Sequence, residues 1–131
     1  MYVPPGFGTV TPYIFANNAE TLVSFLVKAF GGVQALCSKR PDGRIANAQV
    51  RIGNSTVMVS EAAGRYGPSQ AACYIYVANA DQAMQQALEA GGTLEMKVSD
   101  MPYGDRQGGI RDPHGNIWWV SQRLVEEPYS V

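Results

Sequence analysis

The chain has one histidine, His114, set in the run Asp112-Pro113-His114-Gly115-Asn116, and a single imidazole cannot build a metal site by itself. Its neighbours already account for the run. The Asp112 carboxylate can accept from the backbone, Pro113 presets φ and Gly115 tolerates positive φ, which together make a tight turn with His114 at a solvent-facing tip. Asp105-Arg106 can be read two ways, as a local ion pair shaping the mouth of a hairpin or as a pair that meets a ligand. Cys37 and Cys73 lie in apolar, strand-like segments, with no Cys-x-x-Cys or Cys/His zinc spacing anywhere. They read as small hydrophobes, and neither a disulfide nor a structural metal is expected. The remaining candidates are aromatic: Tyr13, Phe15, Tyr74, Tyr76 and Trp119 fall at alternating positions of strand-like stretches.

Ten Lys and Arg against eleven Asp and Glu give a net charge of −1 with no basic cluster, so nucleic acid is not an expected partner. Nor is a membrane. The apolar runs fall far short of the roughly 20 residues that span a bilayer, and the start, Met1-Tyr2-Val3-Pro4-Pro5-Gly6, has neither the basic nor the apolar region of a signal peptide. A cytoplasmic protein is expected. At 131 residues the chain fits one compact unit that buries roughly two-thirds of its unfolded surface.

These side chains must be held by regular elements, and the pattern supplies them. Gly8 to Ala16 alternates like a strand, with Pro12 marking an edge or bulge. Asn18 is placed to cap a helix over Ala19 to Phe30, in which Leu22, Phe25, Leu26, Ala29 and Phe30 recur at helical spacing, and Gly31-Gly32 ends it. Strands follow at Val33–Lys39, Arg44–Ile52 and Thr56–Glu61, separated by turns at Pro41-Asp42-Gly43 and Gly53-Asn54-Ser55. That order is β-α-β-β-β. After a polar connection from Gly64 to Ser69 it begins again with Ala72–Val77, and it closes on a hairpin of Gly108–Arg111 and Ile117–Gln122 around the Asp112 turn.

The second half repeats the first at an offset of about 61 positions, a period that points to duplication. Tyr13 matches Tyr74 and Phe15 matches Tyr76. Asn18-Ala19-Glu20 matches Asn79-Ala80-Asp81, so each half is expected to cap its helix with Asn and to place an acid in the first turn, where the helix dipole favours it. Both helices run into Gly-Gly, and Ser60-Glu61 matches Ser121-Gln122.

Alternation then sorts the strand faces. Ala46, Ala48, Val50 and Ile52 form an apolar set suited to packing under a helix, leaving Asn47, Gln49 and Arg51 on the other face. Cys73, Ile75 and Val77 are expected in the core, leaving Ala72, Tyr74 and Tyr76, with Thr11, Tyr13 and Phe15 as their counterparts. Burying so many hydroxyl and indole groups without partners is costly, which favours a wet or ligand-filled cavity over a solid core.

Gly104-Asp105-Arg106 followed by Arg111-Asp112-Pro113-x-Gly115-x-x-Trp118 resembles the closing hairpin of the glyoxalase/bleomycin-resistance/dioxygenase proteins, the vicinal-oxygen-chelate (VOC) superfamily, especially its PhnB-like branch. Thr11-Pro12-Tyr13, Lys28-Ala29-Phe30-Gly31, Pro41-Asp42-Gly43-Arg44-Ile45-x-x-Ala48, Arg51-Ile52-Gly53-Asn54-Ser55 and Val98-x-Asp100-Met101 extend the likeness from Gly8 to Arg123. The resemblance implies an α+β fold of two repeated βαβββ modules forming curved sheets around a small-molecule cavity. Module one would take about 8–63, a linker 64–69, module two 70–123 and a C-terminal tail 124–131, all in one domain. It also puts Ile117, Trp119 and Ser121 in the cavity, with Trp118 and Val120 opposed to them.

Enzymes of this superfamily hold a divalent metal through His and Glu at inward positions of the first, fourth, fifth and eighth strands. The matching positions here are Thr11, Ala72 and Trp119, with Glu61 as the one candidate on the fourth strand, and Asn47 stands where PhnB-like relatives often have His. No metal and no cofactor are expected. The expected ligand-binding set is Tyr13, Phe15, Asn47, Gln49, Arg51, Glu61, Tyr74, Tyr76, Tyr103, Trp119 and Ser121. The reading is a metal-independent small-molecule binding protein that sequesters a planar or aromatic metabolite or antibiotic, as a homodimer. The alternative is a glyoxalase-like lyase or isomerase, or a dioxygenase-related enzyme, with Glu61 or Tyr103 as acid/base. A third possibility, an interaction scaffold, would leave the cavity packed solid.

Overall fold

Helix α1, Ala19–Phe30, buries Leu22, Phe25, Leu26 and Ala29, the residues whose spacing defines one helical face. That face lies on a four-stranded sheet of β1 (Tyr13–Ala16), β2 (Val33–Lys39), β3 (Ile45–Ile52) and β4 (Ser55–Glu61), ordered β1-β4-β3-β2. Ile14, Ala16, Ala48, Val50, Val57 and Val59 meet the helix and are almost wholly buried. β1 runs parallel to β4, and the other pairs are antiparallel. The computed structural model describes residues 2–130 and divides between Gln70 and Ala71 into two compact units.

The second unit repeats the first. β5 (Ala72–Tyr76), α2 (Ala80–Glu89), β6 (Thr93–Asp100), β7 (Asp105–Arg111) and β8 (Ile117–Arg123) give the order β5-β8-β7-β6. Trp118, Val120 and Ile110 are buried in its sheet, with Met84, Ala80 and Ala87 of α2 buried as well. The fold is α+β, with two repeated modules.

Both Gly-Gly pairs work alike. Gly31 closes α1 in the left-handed region (φ 68°), and the Gly32 N–H returns to Leu26 O at 3.2 Å, a glycine-dependent helix ending. A Cβ on Gly32 would lie 2.7 Å from Val50 Cγ1, and one on Gly92 would lie 2.6 Å from Ile110 Cδ1. The second glycine of each pair is thus required by the close approach of the sheet.

Four expectations change. β1 starts at Tyr13 rather than Gly8; Pro12 has no N–H to give a ladder, though its carbonyl accepts from Met58 N at 2.9 Å. Asn18 does not cap α1 with its side chain, because it sits in the left-handed region (φ 62°); Asn79 does cap α2, accepting from Gln82 N at 3.0 Å. Ala46 does not pack under the helix. The β2–β3 pairing steps from Ser38↔Asn47 to Lys39↔Ile45, and this bulge turns Ile45 into the core and Ala46 to the open face. Lastly, β7 begins at Asp105, three residues before the expected Gly108.

In the first unit, the connecting segment runs along the free edge of β1. Phe15 N donates to Ser69 Oγ at 3.0 Å, and Ser69 N donates to Phe15 O at 2.9 Å.

Candidate functional site

In the first unit, the face of the sheet turned from α1 holds an aromatic cluster. Alternation along β1 sends Ile14 and Ala16 inward and leaves Tyr13 and Phe15 together, their ring centres 5.0 Å apart. Tyr66, from the connection after β4, brings its ring to 5.7 Å from Phe15. These three rings wall a cavity of about 430 Å³, within the range of small-ligand pockets. Its remaining lining is small or polar: Ala46, Ser60, Ala63, Arg40 and Glu61. The Asn47 amide donates to the Tyr13 hydroxyl at 3.3 Å, and Gln49 Nε2 donates to Asn47 Oδ1 at 3.1 Å, so the expected polar row is continuous up to Tyr13. Arg51 stands apart, exposed and beside Gly6, where a Cβ would lie 2.3 Å from its Nη1.

Glu61 serves the helix. Its Oε2 accepts from Asn18 N at 2.8 Å and its Oε1 from Ala19 N at 3.0 Å, filling the anion site that any helix N-terminus offers. Burial pushes the carboxyl up, but the amides of Ala19 and Asn18 and the charges of Arg44 and Arg40 outweigh it and hold the group below its usual range. Gln122 has the same place in the second unit, its Oε1 accepting from Ala80 N at 3.0 Å.

On the open face of the second unit, the centre is a carboxylate. Pairing of β7 with β8 sets Asp105, Gln107 and Gly109 opposite Arg123, Ser121 and Trp119, while β5 adds Tyr74 and Tyr76. Asp105 has no exposed surface. Its Oδ2 accepts from the hydroxyls of Tyr74 and Tyr129, each at 2.6 Å, and its Oδ1 accepts from Arg123 Nη1 at 3.0 Å. Burial pushes this carboxyl up, and the bonds from Tyr129, Tyr74 and Arg123 more than reverse it. Tyr74 is pushed up to about 12 by burial and by its bond to Asp105, so its hydroxyl keeps its proton at neutral pH. The Tyr103 hydroxyl donates to Gln107 Oε1. Ser121 is fully buried, and its hydroxyl has no hydrogen-bond partner among the described residues.

Trp118 and Trp119 part as alternation requires. Trp118 is 2% exposed and donates from Nε1 to Asp112 Oδ2 at 2.9 Å. The same carboxylate accepts from His114 N, Asn116 N and Asn116 Nδ2, so the Asp112 turn and the buried indole form one polar knot. Trp119 is half-buried over Gly109, where a Cβ would lie 2.7 Å from its Cζ3. His114 is half-buried rather than solvent-facing, because the turn folds back on Asp112.

The Asp105–Arg106 ion pair does not form. Adjacent strand residues point to opposite faces, so Arg106 bonds Asp81 and Asp100, at 2.9 Å each, while Asp105 takes Arg123. Sequence reasoning missed Asp105 as the centre of this face, and with it Arg123 and Tyr129; on the first unit it missed Arg40 and Tyr66. The signal for Asp105 was present: extending the hairpin strand by one more alternating step from Gln107 places it on the Trp119 face.

The residues do not fit the divalent metal that the superfamily's enzymes hold. Thr11, Ala72 and Trp119 offer no adequate donor set, and both Glu61 oxygens are engaged by backbone amides. Among the described residues no group of three or more His, Cys, Asp and Glu side chains could hold a metal ion. Among the described residues no helix is long and apolar enough to cross a membrane.

Residues 6–120 match the sequence model of the Glyoxalase/Bleomycin resistance protein/Dioxygenase superfamily. The chain belongs to this superfamily. Among its relatives is the uncharacterized protein Mb0911c of Mycobacterium bovis, 29% identical over 128 residues, spanning 89% of this chain and 84% of that one. TioX from Micromonospora sp. ML1 has the same architecture at 24% identity, with a TM-score of 0.77 over 89% of this chain and 99% of TioX. So does TnmS3, an antibiotic binding protein from Streptomyces sp. CB03234, at 18% identity and a TM-score of 0.72 over 94% and 98% of the two chains. At these identities the two solved structures speak for the fold.

Proposed function

We propose that this superfamily member, of the PhnB-like branch, is a metal-independent binding protein that holds a planar, aromatic small molecule and releases it unchanged. The observation that carries the reading is the cavity walled by Tyr13, Phe15 and Tyr66, in which flat rings offer stacking surface while Ser60 and Arg40 offer polar contacts. The antibiotic-binding neighbour TnmS3 supports sequestration of a toxic metabolite as its use. Acid/base catalysis by Glu61 finds no support, because a carboxylate held on a helix N-terminus below its usual pKa is a poor proton acceptor near neutral pH. A cytoplasmic homodimer completes the proposal; β2 and β6 are outer strands that pair on one side only, and twofold association is the common way to cover such surface.

Equilibrium dialysis against a panel of planar aromatic metabolites, followed by mass spectrometry of the recovered compound, tests this reading. Saturable binding with intact recovery is expected. Conversion of the compound by freshly prepared protein would overturn it.

A further inference from the structure

Tyr129, from the tail that follows β8, lies on the open face of the second unit and is 49% exposed. Its hydroxyl has two close neighbours, Asp105 Oδ2 at 2.6 Å and the Tyr76 hydroxyl at 2.7 Å. With Asp105 ionised there is no hydrogen on the carboxylate, so Tyr129 gives it the one proton it has. Tyr76 must then donate to the Tyr129 oxygen. An atom at this point has to donate to a buried carboxylate and accept from a phenol at once. A hydroxyl does both. An ammonium cannot accept, while a carboxylate or an ether cannot donate.

The ring carrying that hydroxyl is also specified. The Arg123 guanidinium lies 4.1 Å from the Tyr129 ring centre, a cation–π distance that calls for a flat aromatic face. Arg123 is itself fixed by Asp105 Oδ1, by Tyr103 O at 2.7 Å and by Glu127 O at 2.5 Å. Asp105 and Arg123 belong to strands, whereas the segment carrying Tyr129 has neither helix nor strand. Asp105, Tyr76 and Arg123 are built into the sheet, and the tail carries both Tyr129 and the Glu127 carbonyl that helps hold Arg123.

We propose that Asp105, Tyr76 and Arg123 form a subsite for an aromatic hydroxyl, that Tyr129 fills it when no ligand is bound, and that a phenolic ligand displaces the tail. The proposal rests on the reading of this protein as a binder of planar aromatics and assigns the open face of the second unit a preference for phenols. No covalent step is involved. When the tail leaves, the carboxylate loses a donor that a ligand hydroxyl can replace and an ether oxygen cannot, so the subsite distinguishes phenols from their ethers.

The test compares 2-naphthol with 2-methoxynaphthalene, matched rings that differ in the donated hydrogen, by calorimetric titration of the full chain and of the Tyr129→Ala and Tyr129→Phe variants. Both variants are expected to bind 2-naphthol about tenfold more tightly than the unmodified chain, the effect of removing one competing charge-assisted bond. Preference for 2-naphthol over its methyl ether should be lost in Asp105→Asn, with circular dichroism confirming that variant's fold and Tyr76→Phe giving a milder version of the same loss. Equal binding of the two compounds by Tyr129→Ala would overturn the phenol subsite while leaving the broader binding reading in place. Failure of both compounds to bind any form would overturn both.

Discussion

Glu61, at the end of β4, holds the backbone N–H of Ala19, the first residue of α1, at 3.0 Å. The cap of this helix therefore comes from a strand 42 residues away in sequence, and tertiary structure supplies what Asn18 does not. Glu61→Ala is expected to cost about 0.5–2 kcal/mol, as lost helix caps do. Glu61→Gln should recover part of that, since Gln122 performs the same task on α2. The folded pKa of Glu61 is depressed, so its contribution is present above the unfolded value and is lost as pH falls through the folded one. Thermal melts of the unmodified chain and Glu61→Gln across this acid range check both points; their difference should shrink as the pH falls.

The two tryptophans should fail differently. Trp118→Ala removes a buried indole and strips Asp112 of a donor, and a loss of about 3–5 kcal/mol is expected. Trp119→Ala, on the half-buried side, should leave most of the stability and weaken binding of planar ligands to the open face of the second unit by roughly tenfold. Denaturant melts with fluorescence titrations on both variants decide the matter. The reverse pattern would put the wrong face of β8 toward the ligand.

Gly32→Ala and Gly92→Ala should each destabilise by about 1–3 kcal/mol, as overpacking does. The added methyl meets Val50 Cγ1 in the first and Ile110 Cδ1 in the second, and a backbone carbonyl in each, so rotamer changes alone do not relieve it. Urea unfolding midpoints measure the cost.

Tyr74 should titrate about two units above an ordinary phenol, its pKa raised from 10 to about 12. Asp105→Asn removes the buried charge that helps hold the proton, so ultraviolet titration of tyrosinate should find the group returning toward 10. A raised folded pKa also means that the associated stability is fully present below the unfolded value and declines as pH rises through the folded one. The unmodified chain should therefore lose stability between about pH 10 and 12, and Asp105→Asn should lose less over the same range.

Light scattering at micromolar concentration should give twice the mass of the chain. A monomer at that concentration would remove the homodimer from the proposed function.

Much of the fold was legible because it is written in periodicities. Leu22, Phe25, Leu26 and Ala29 mark α1, and the recurrence of Gly-Gly after each helix marks the repeat. What failed was local geometry that periodicity does not encode. A two-residue period carries the face assignment only as far as the first bulge, so Ala46 and Ile45 were exchanged. Asn18 has a capping side chain but the wrong backbone, and that depends on Glu61 reaching the helix end from a distant strand. Asp105 was hidden by a strand boundary drawn three residues late, and Tyr129 by lying beyond the last strand, in a segment with no pattern to read.

The contact between Ser69 and Phe15 bears on how this sheet can grow. Both main-chain groups of Phe15 that point outward from β1 are already taken by one serine, so the connection between modules works as a stopper on that edge. Among the described residues of its unit nothing covers the opposite edge, β2, in this way, and it exposes Val33 and Leu36. Extension of the first sheet by an incoming strand is thus directional: refused at the middle of β1 and open along β2, where misassembly during folding would begin and where a charged substitution at Leu36 would suppress it.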